Sequence, residues 1–150
     1  MSLIIPVIKR RHEWPTQSPR RIAPANPVDQ ALDQADPKNF DALVLPGGVI
    51  NADALRMQPQ AVKFVKSFFD AGKPVGVICH ASWALIESGV VKGHRMTSWP
   101  SLKTDLTNAG AEWVDEEVVV DGKLVTSRKP DDIPAFNREI KRLFSRTAHG

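Results

Sequence analysis

The stretch KPVGVICHASWALIESG, residues 73–89, joins a predicted buried strand directly to a predicted helix, which is the unit from which α/β folds are built. Its first half is a short apolar run, which is typical of a strand covered on both faces. Its second half has helical character and ends near Gly89. The turn between the two halves holds Cys79, the single cysteine of the chain, followed by His80. The stretch therefore raises the question of whether Cys79 is a core thiol or a nucleophile.

The alternation of strand and helix continues on both sides of this stretch. Residues 40–48, FDALVLPGG, predict a buried strand closed by a tight turn, and residues 58–72, QPQAVKFVKSFFDAG, predict a helix that Gly72 ends. The C-terminal part predicts, in order, a short strand in HRMTSW (94–99), a helix in PSLKTDLTNAG (100–110), a hairpin at Asp121-Gly122 and a helix in DDIPAFNREIKRLF (131–144) with Ile133, Phe136, Ile140 and Phe144 on one face. Such alternation over short links indicates a parallel sheet with right-handed crossovers.

Length and composition fit one globular domain. The chain has 150 residues, of which 42% are hydrophobic and 25% are charged, as is ordinary for a globular protein. A single cysteine excludes an internal disulfide framework and a cysteine-rich metal site, and it suits a reducing cytoplasm. The apolar residues 3–8, LIIPVI, are too few to span a bilayer, and no cleavage site follows them. We therefore expect a cytoplasmic protein with no membrane partner.

The positive charge of the chain is concentrated at its N terminus. Residues 1–28 carry five basic residues against the single acidic residue Glu13, and they hold five of the twelve prolines. Because proline removes backbone donors and blocks helix interiors, this segment is predicted to be irregular, ahead of an α/β domain over residues 29–150. The charge therefore belongs to an irregular segment rather than to a basic groove, and we expect no nucleic-acid partner.

The position of Cys79 permits two interpretations. It ends a strand where a helix begins, and in open α/β sheets binding sites form at the carboxyl ends of strands. A helix N-terminus favours a thiolate, and a sharp strand-to-helix turn is the geometry of a nucleophile elbow. The alternative is a buried thiol that acts as a small hydrophobic residue. The spacing of residues leaves both interpretations of Cys79 open. His80 is likewise either a base or a capping residue. Residues 46–48, PGG, form either an oxyanion site or a simple turn.

Five segments together resemble the ThiJ/PfpI superfamily, and most of all its PfpI branch of intracellular cysteine-peptidase-like stress proteins. They are DALVLPGG (41–48), GKPVGVICH (72–80), LIESGVVKGHRMTS (85–98), LKTDLTNAGAEWVDEEVVVDG (102–122) and LVTSRKPDDIPAFNREI (124–140). The resemblance extends from about Asp36 to Phe144. It implies a flavodoxin-like α/β sandwich with a mainly parallel sheet and the topology of class I glutamine amidotransferases, here without the usual N-terminal β-α-β opening.

The resemblance also implies a catalytic site. Cys79 matches the nucleophile of the family and His80 matches its base. Asp53 matches an acidic residue that reaches the site from a neighbouring subunit, so the resemblance implies a homodimer or a higher oligomer. The backbone amides of Gly47, Gly48 and His80 match the oxyanion site, and the family needs no cofactor or metal. Without the resemblance, Asn51 is expected to cap a helix whose first turn holds Asp53 as a solvated residue.

Two features of this chain depart from the family pattern. Ala81 and Ser82 stand where the family usually has glycine and proline, and Ala81 reduces backbone freedom beside the nucleophile. Residues 1–28 do not resemble the opening of the family, which carries a glutamate that hydrogen-bonds the thiolate.

The function that the resemblance implies is a cysteine hydrolase linked to the stress response. It would act on peptides, on carbonyl-modified (glycated) protein or on small reactive carbonyls. The alternatives are a non-enzymatic stress protein, with Cys79 as a redox sensor or the domain as a chaperone-like holdase, and a catalytically impaired member of the family.

Overall fold

The computed structural model describes residues 3–4 and 30–147. Most of the segment that the sequence predicts to be irregular, residues 1–28, lies outside the described residues, and the prediction stays open there. Within that segment, Leu3–Ile4 form a two-residue strand, β1, at one edge of the main sheet. The register of this strand pairs Leu3 with Ala42.

The described elements follow the alternation that the sequence predicts. After β1 they are β2 (Ala42–Leu45), α1 (Val49–Arg56), α2 (Pro59–Asp70), β3 (Val75–Ile78), α3 (Ser82–Glu87), β4 (Arg95–Met96), α4 (Lys103–Asn108), β5 (Glu112–Trp113), β6 (Val118–Asp121), β7 (Leu124–Ser127) and α5 (Ile133–Thr147). Short 3-10 turns precede several of them. None of the helices in the described part of the chain is long and apolar enough to cross a membrane.

The main sheet has the strand order β1-β2-β3-β7-β6. Four of its strands run parallel, and β6 pairs antiparallel with β7 through the predicted hairpin. Gly122 in that hairpin has a φ of 58°, which a residue without a side chain adopts most easily. Strands β4 and β5 form a separate parallel pair. The prediction of a mainly parallel sheet is therefore confirmed.

The sheet separates two packed layers, because successive side chains of a strand project to opposite faces. Leu43 and Val75 belong to a large cluster that also takes apolar residues from α1, α2, α3 and α4. Ile78 and Val125 face the other way and pack against Phe136 of α5. The result is an α/β/α sandwich in which β3 is covered on both faces.

The final helix differs from the prediction at its first residue. Phe136 and Phe144 are buried as expected, but Ile133 is 43% exposed. Ile133 begins α5 directly after the 3-10 turn Pro130–Asp132, one helical turn before the first residue that packs beneath the sheet. The regular spacing of apolar residues in the sequence therefore begins one helical turn before the part of α5 that packs against the sheet.

The register of the central strands positions the candidate site. Leu45 of β2 is paired with Val77 of β3. The chain continues from both strands in the same direction, so Gly47 and Cys79 emerge side by side at the carboxyl edge of the sheet. This is the edge at which open α/β sheets form binding sites.

Candidate active site

Cys79 lies on a sharp turn between β3 and α3. The residues Cys79–Ala81 form a single 3-10 turn, and α3 begins at Ser82. Cys79 has a φ of 64°, the only positive φ among the non-glycine residues of the described chain. A side chain in this conformation costs about 1–3 kcal/mol, and such strain is concentrated at functional sites. The turn leaves Cys79 only partly buried.

Two contacts hold this turn in place. The backbone N–H of Trp99 donates a hydrogen bond to the carbonyl oxygen of Cys79 at 3.3 Å. On the other side, a Cβ placed on Gly47 would lie 2.9 Å from Cβ of Cys79 and 3.6 Å from its Sγ. Only glycine fits so close to the thiol. Gly48, with a φ of 101°, is the N-cap of α1, and its carbonyl accepts a hydrogen bond from the N–H of Ala52.

His80 lies in hydrogen-bonding contact with the thiol. Its Nδ1 is 3.1 Å from Sγ of Cys79. The side chain is buried, and this burial lowers the pKa of His80 from its usual value of 6.5. A neutral imidazole accepts the thiol proton at Nδ1, and the imidazolium that results donates a hydrogen bond to the thiolate. The pair can therefore move a proton without a change in geometry.

Two tryptophans enclose the His80 ring, and together we call them the aromatic clamp. The rings of Trp99 and His80 are stacked, with centroids 5.6 Å apart and planes 24° apart. The ring of Trp83 is tilted by 59° to His80, with a centroid distance of 5.2 Å. No motif or periodicity in the sequence points to either residue. The available signal was the composition, since the chain has four tryptophans and no tyrosine.

Asp53 lies in the second turn of its helix rather than in the first. Helix α1 begins at Val49 with Gly48 as its N-cap, so Asn51 is inside the helix and Asp53 is in its second turn. The prediction that Asn51 caps the helix is wrong, because the positive φ of Gly48 lets the helix begin directly after the diglycine turn. In the part of the chain that the structure describes, Asp53 forms no hydrogen bond with His80.

Asp53 instead forms an ion pair with Arg56, with Oδ1 and Nη2 2.8 Å apart, and its side chain is 55% exposed. The guanidinium carbon of Arg56 lies 4.4 Å from the centroid of the Trp83 ring. The Nε1–H of Trp83 donates to Oδ2 of Asp105 at 3.1 Å. Among the described residues, a series of contacts thus leads from Asp53 through Arg56 and Trp83 to His80.

An open groove shares one wall with the site. It has a volume of about 540 Å³ and is lined by Arg56, Trp83, Ile86, Asp105, Asn108 and Ala109. Trp83 contacts both the groove and His80, whereas Cys79 does not line the groove. Within the described residues, no three side chains of His, Cys, Asp or Glu form a group that could hold a metal ion.

The sequence from residue 25 to residue 143 matches the model of the DJ-1/PfpI family. The chain belongs to the DJ-1/PfpI family. This finding confirms the family and the fold class that the sequence motifs indicate.

Three relatives illustrate the match. Protein/nucleic acid deglycase 2 of Escherichia coli is 49% identical over 117 residues, which are 77% of this chain and 67% of that protein. General stress protein 18 of Bacillus subtilis is 46% identical over 120 residues, 79% of this chain and 69% of that protein. A solved two-domain protein of Anabaena variabilis, with DJ-1/ThiJ/PfpI-like and ferritin-like domains, is 39% identical with a TM-score of 0.72. That match covers 75% of this chain and 32% of the two-domain chain.

Proposed function

We propose that this protein is a cysteine-dependent hydrolase that acts on carbonyl-modified (glycated) protein groups, with peptides as the second substrate class. The observation that carries the proposal is the contact of 3.1 Å between Sγ of Cys79 and Nδ1 of His80 on a strained turn. The name of the Escherichia coli relative, a deglycase, supports the first substrate class. The stress-protein name of the Bacillus subtilis relative supports a role under stress.

The chemistry begins with a proton transfer from Cys79 to the neutral imidazole of His80. On a peptide, the thiolate attacks the carbonyl carbon, a C–S bond forms, and the carbonyl electron pair moves to oxygen. The backbone amides of Gly47, Gly48 and His80 are the donors that we assign to this oxyanion. As the electron pair returns, the C–N bond breaks and His80 gives its proton to the leaving amine. Water then hydrolyses the thioester, which releases a carboxylic acid and restores the thiol.

An α-dicarbonyl adduct of an amine has no acyl C–N bond, so the amine is released by another route. The thiolate attacks the carbon that bears both the hydroxyl and the nitrogen, a C–S bond forms as the C–N bond breaks, and the amine leaves with the proton from His80. A proton then moves from this carbon to the adjacent carbonyl carbon, which converts the hemithioacetal into the thioester of an α-hydroxy acid. Water hydrolyses that thioester to the hydroxy acid and restores the thiol.

We assign Asp53 the orienting role towards His80 of a neighbouring copy of the chain. This role requires self-association, because within one chain Asp53 is paired with Arg56. Two apolar residues of the same helix support an interface here: Val49 is 50% exposed and Ile50 is 68% exposed. Exposed apolar side chains that lie together mark surfaces that bind another protein. A carboxylate brought to His80 in this way would fix its tautomer and stabilise the imidazolium.

The second candidate function is a redox sensor without turnover. It is favoured by the partial exposure of Cys79, which leaves the thiol open to oxidation, and by the stress-protein name of a relative. Hydrogen peroxide would oxidise a thiolate beside His80 to a sulfenic acid. One thiol would condense with the sulfenic acid to a mixed disulfide and water, and a second thiol would release Cys79 by exchange. This candidate needs the same pair of residues but no hydrolysis.

One experiment separates the two candidates. The protein is incubated with a lysine- or arginine-containing peptide previously modified by an α-dicarbonyl, and in parallel with the unmodified peptide. We expect the wild type to release free amine or guanidine from the modified peptide and Cys79→Ala to release none. If the wild type fails with both peptides while hydrogen peroxide oxidises Cys79 to a sulfenic acid, the hydrolase proposal is wrong and the sensor remains.

A further inference from the structure

In the part of the chain that the structure describes, no carboxylate forms a hydrogen bond that would orient His80. Among the hydrogen bonds of the described residues, the imidazole makes one, and that bond is to Sγ of Cys79. An imidazole with a single hydrogen bond is free to rotate about the bond between its Cβ and the ring unless packing prevents it. In this site the packing comes from the aromatic clamp, with Trp99 stacked on the ring and Trp83 tilted against it.

We propose that Trp83 and Trp99 are positioning residues that hold the His80 imidazole between them, so that its Nδ1 stays directed at Sγ of Cys79. The proposal rests on the proposed function in one respect, namely that His80 is the base. Neither indole transfers a proton. Both act by confining the ring that does, and a confined base needs no reorganisation when the thiol loses its proton.

The clamp is itself anchored on both sides. Trp99 holds the Cys79 turn through its backbone N–H, so the stacked ring and the nucleophile are tied to the same segment. The Nε1–H of Trp83 is fixed by Asp105 of α4. The guanidinium of Arg56 lies over the Trp83 ring, where it gains a cation–π contact. The Trp83 indole is therefore held by two contacts that are independent of His80, and the backbone of Trp99 is held by its hydrogen bond to Cys79.

The clamp also sets the environment in which His80 titrates. Cys79 is the titratable group in direct contact with the ring. Arg56 of α1 and Asp105 of α4 approach from other elements and contact the Trp83 indole, and Asp53 is paired with Arg56. Because the indoles cover the ring, removing one of them admits water to it. Hydration stabilises the imidazolium, and the pKa of His80 then rises towards 6.5.

The test uses an NMR titration of the His80 ring protons, assigned by their absence in His80→Asn. An imidazole enclosed by two indoles has its ring protons shifted upfield by ring currents. We expect the upfield shift in the wild type and its loss in Trp99→Leu and Trp83→Leu. In Trp99→Phe and Trp83→Phe the upfield shift should return. We also expect both leucine variants to raise the midpoint of the His80 titration. Trp113→Leu is the matched control, because among the described residues Trp113 donates to Ser98 and has Lys103 over its ring, whereas the ring contacts of His80 are with Trp83 and Trp99.

Turnover on the modified peptide is the second readout. The leucine variants are expected to lower kcat about tenfold and to move the acidic limb of the pH profile upward, with partial recovery in the phenylalanine variants. If the His80 ring protons of the wild type have the chemical shifts of an exposed histidine, the proposal is overturned before any variant is made. Leucine variants with an unchanged shift and titration midpoint would also overturn it. A wild type with shifted ring protons but no turnover would leave the clamp intact and overturn the proposed function instead.

Discussion

The Nδ1 of His80 lies 3.1 Å from Sγ of Cys79, although the two residues are neighbours in the chain. Neighbouring residues of a strand project to opposite faces, so a regular extension of β3 would separate them. The left-handed conformation of Cys79, with a φ of 64°, turns the chain at this point and brings both side chains to one side. The backbone strain and the thiol–imidazole contact are therefore two aspects of the same turn.

The buried state of His80 makes folding dependent on pH. Burial lowers the pKa of His80 below its usual value of 6.5, so the unfolded chain binds a proton more readily than the folded one. The contribution of His80 to stability is thus complete above pH 6.5 and is lost as the pH falls towards the pKa of the folded state. We expect the free energy of unfolding to decline over this range, and less so in His80→Asn. Urea unfolding at several pH values measures this free energy. If it changes with pH by the same amount in the wild type and in His80→Asn, the pH dependence does not come from His80.

Gly47 is expected to tolerate no side chain. A Cβ at this position would lie 2.9 Å from Cβ of Cys79, so Gly47→Ala must displace the nucleophile turn, at a cost of about 1–3 kcal/mol. The alkylation rate of Cys79 should change in Gly47→Ala, because the turn that holds the thiol is displaced. Gly89→Ala is the control, because its added Cβ meets nothing within 4 Å and only the positive φ of 70° is strained. Equal effects of both variants on alkylation would show that Gly47 has no special relation to the thiol.

The ion pair between Arg128 and Asp132 is expected to stabilise the turn before α5. Two guanidinium nitrogens of Arg128 donate to the Asp132 carboxylate at 2.9 and 3.0 Å, and Asp132 is 3% exposed. The hydrogen bonds from Arg128 lower the pKa of Asp132 from its usual value of 3.8. This stability is therefore present above pH 3.8 and is lost as the pH falls through the pKa of the folded state.

Removal of the negative charge of Asp132 should destabilise the protein strongly. Asp132→Asn is expected to lose about 3 kcal/mol, because it leaves the guanidinium of Arg128 half-buried with one partner fewer. Asp131→Asn is the matched control, since the side chain of Asp131 is 86% exposed and lies 4.0 Å from Lys129. Thermal and urea unfolding compare the variants. Equal stability of the two would mean that the buried pair contributes no more than an exposed one.

Asp53 gives a test of the subunit interface. If it orients His80 of a neighbouring copy, Asp53→Asn should lower kcat about tenfold or more while the protein remains oligomeric in sedimentation. Asp70→Asn is the control, because Asp70 also forms an exposed ion pair within one helix, with Lys66. A strictly monomeric wild type, or an Asp53→Asn variant with unchanged turnover and assembly, would leave Asp53 with its ion pair to Arg56 alone.

Much of the fold could be predicted because local patterns and tertiary packing agree. Residues 73–89 contain an apolar run, a turn and a helix, and the structure has β3, the Cys79 turn and α3 in that order. Gly72 and Gly122 have positive φ values where the sequence predicts a helix end and a hairpin. In these places the residue type limits the backbone to few conformations, and the fold uses one of them.

The start of α1 and the two tryptophans around His80 depend on contacts that cannot be predicted from a local sequence pattern. Asn51 is a good capping residue, but the diglycine turn lets α1 begin earlier than the sequence predicts. Trp83 and Trp99 have no periodic relation to His80. They meet it because α3 and the segment after β4 converge on the end of β3. A stacking contact of this kind depends on the tertiary arrangement of three segments, and one sequence does not specify it.

Alkylation of the native protein tests whether Cys79 is an activated nucleophile beside His80. The folded chain is treated with iodoacetamide at pH 7, and the adduct on its single thiol is followed by mass spectrometry over time. We expect rapid and complete modification of Cys79 in the wild type and a slower reaction in His80→Gln. A thiol that resists iodoacetamide until the protein is denatured would show instead that Cys79 is a residue of the core.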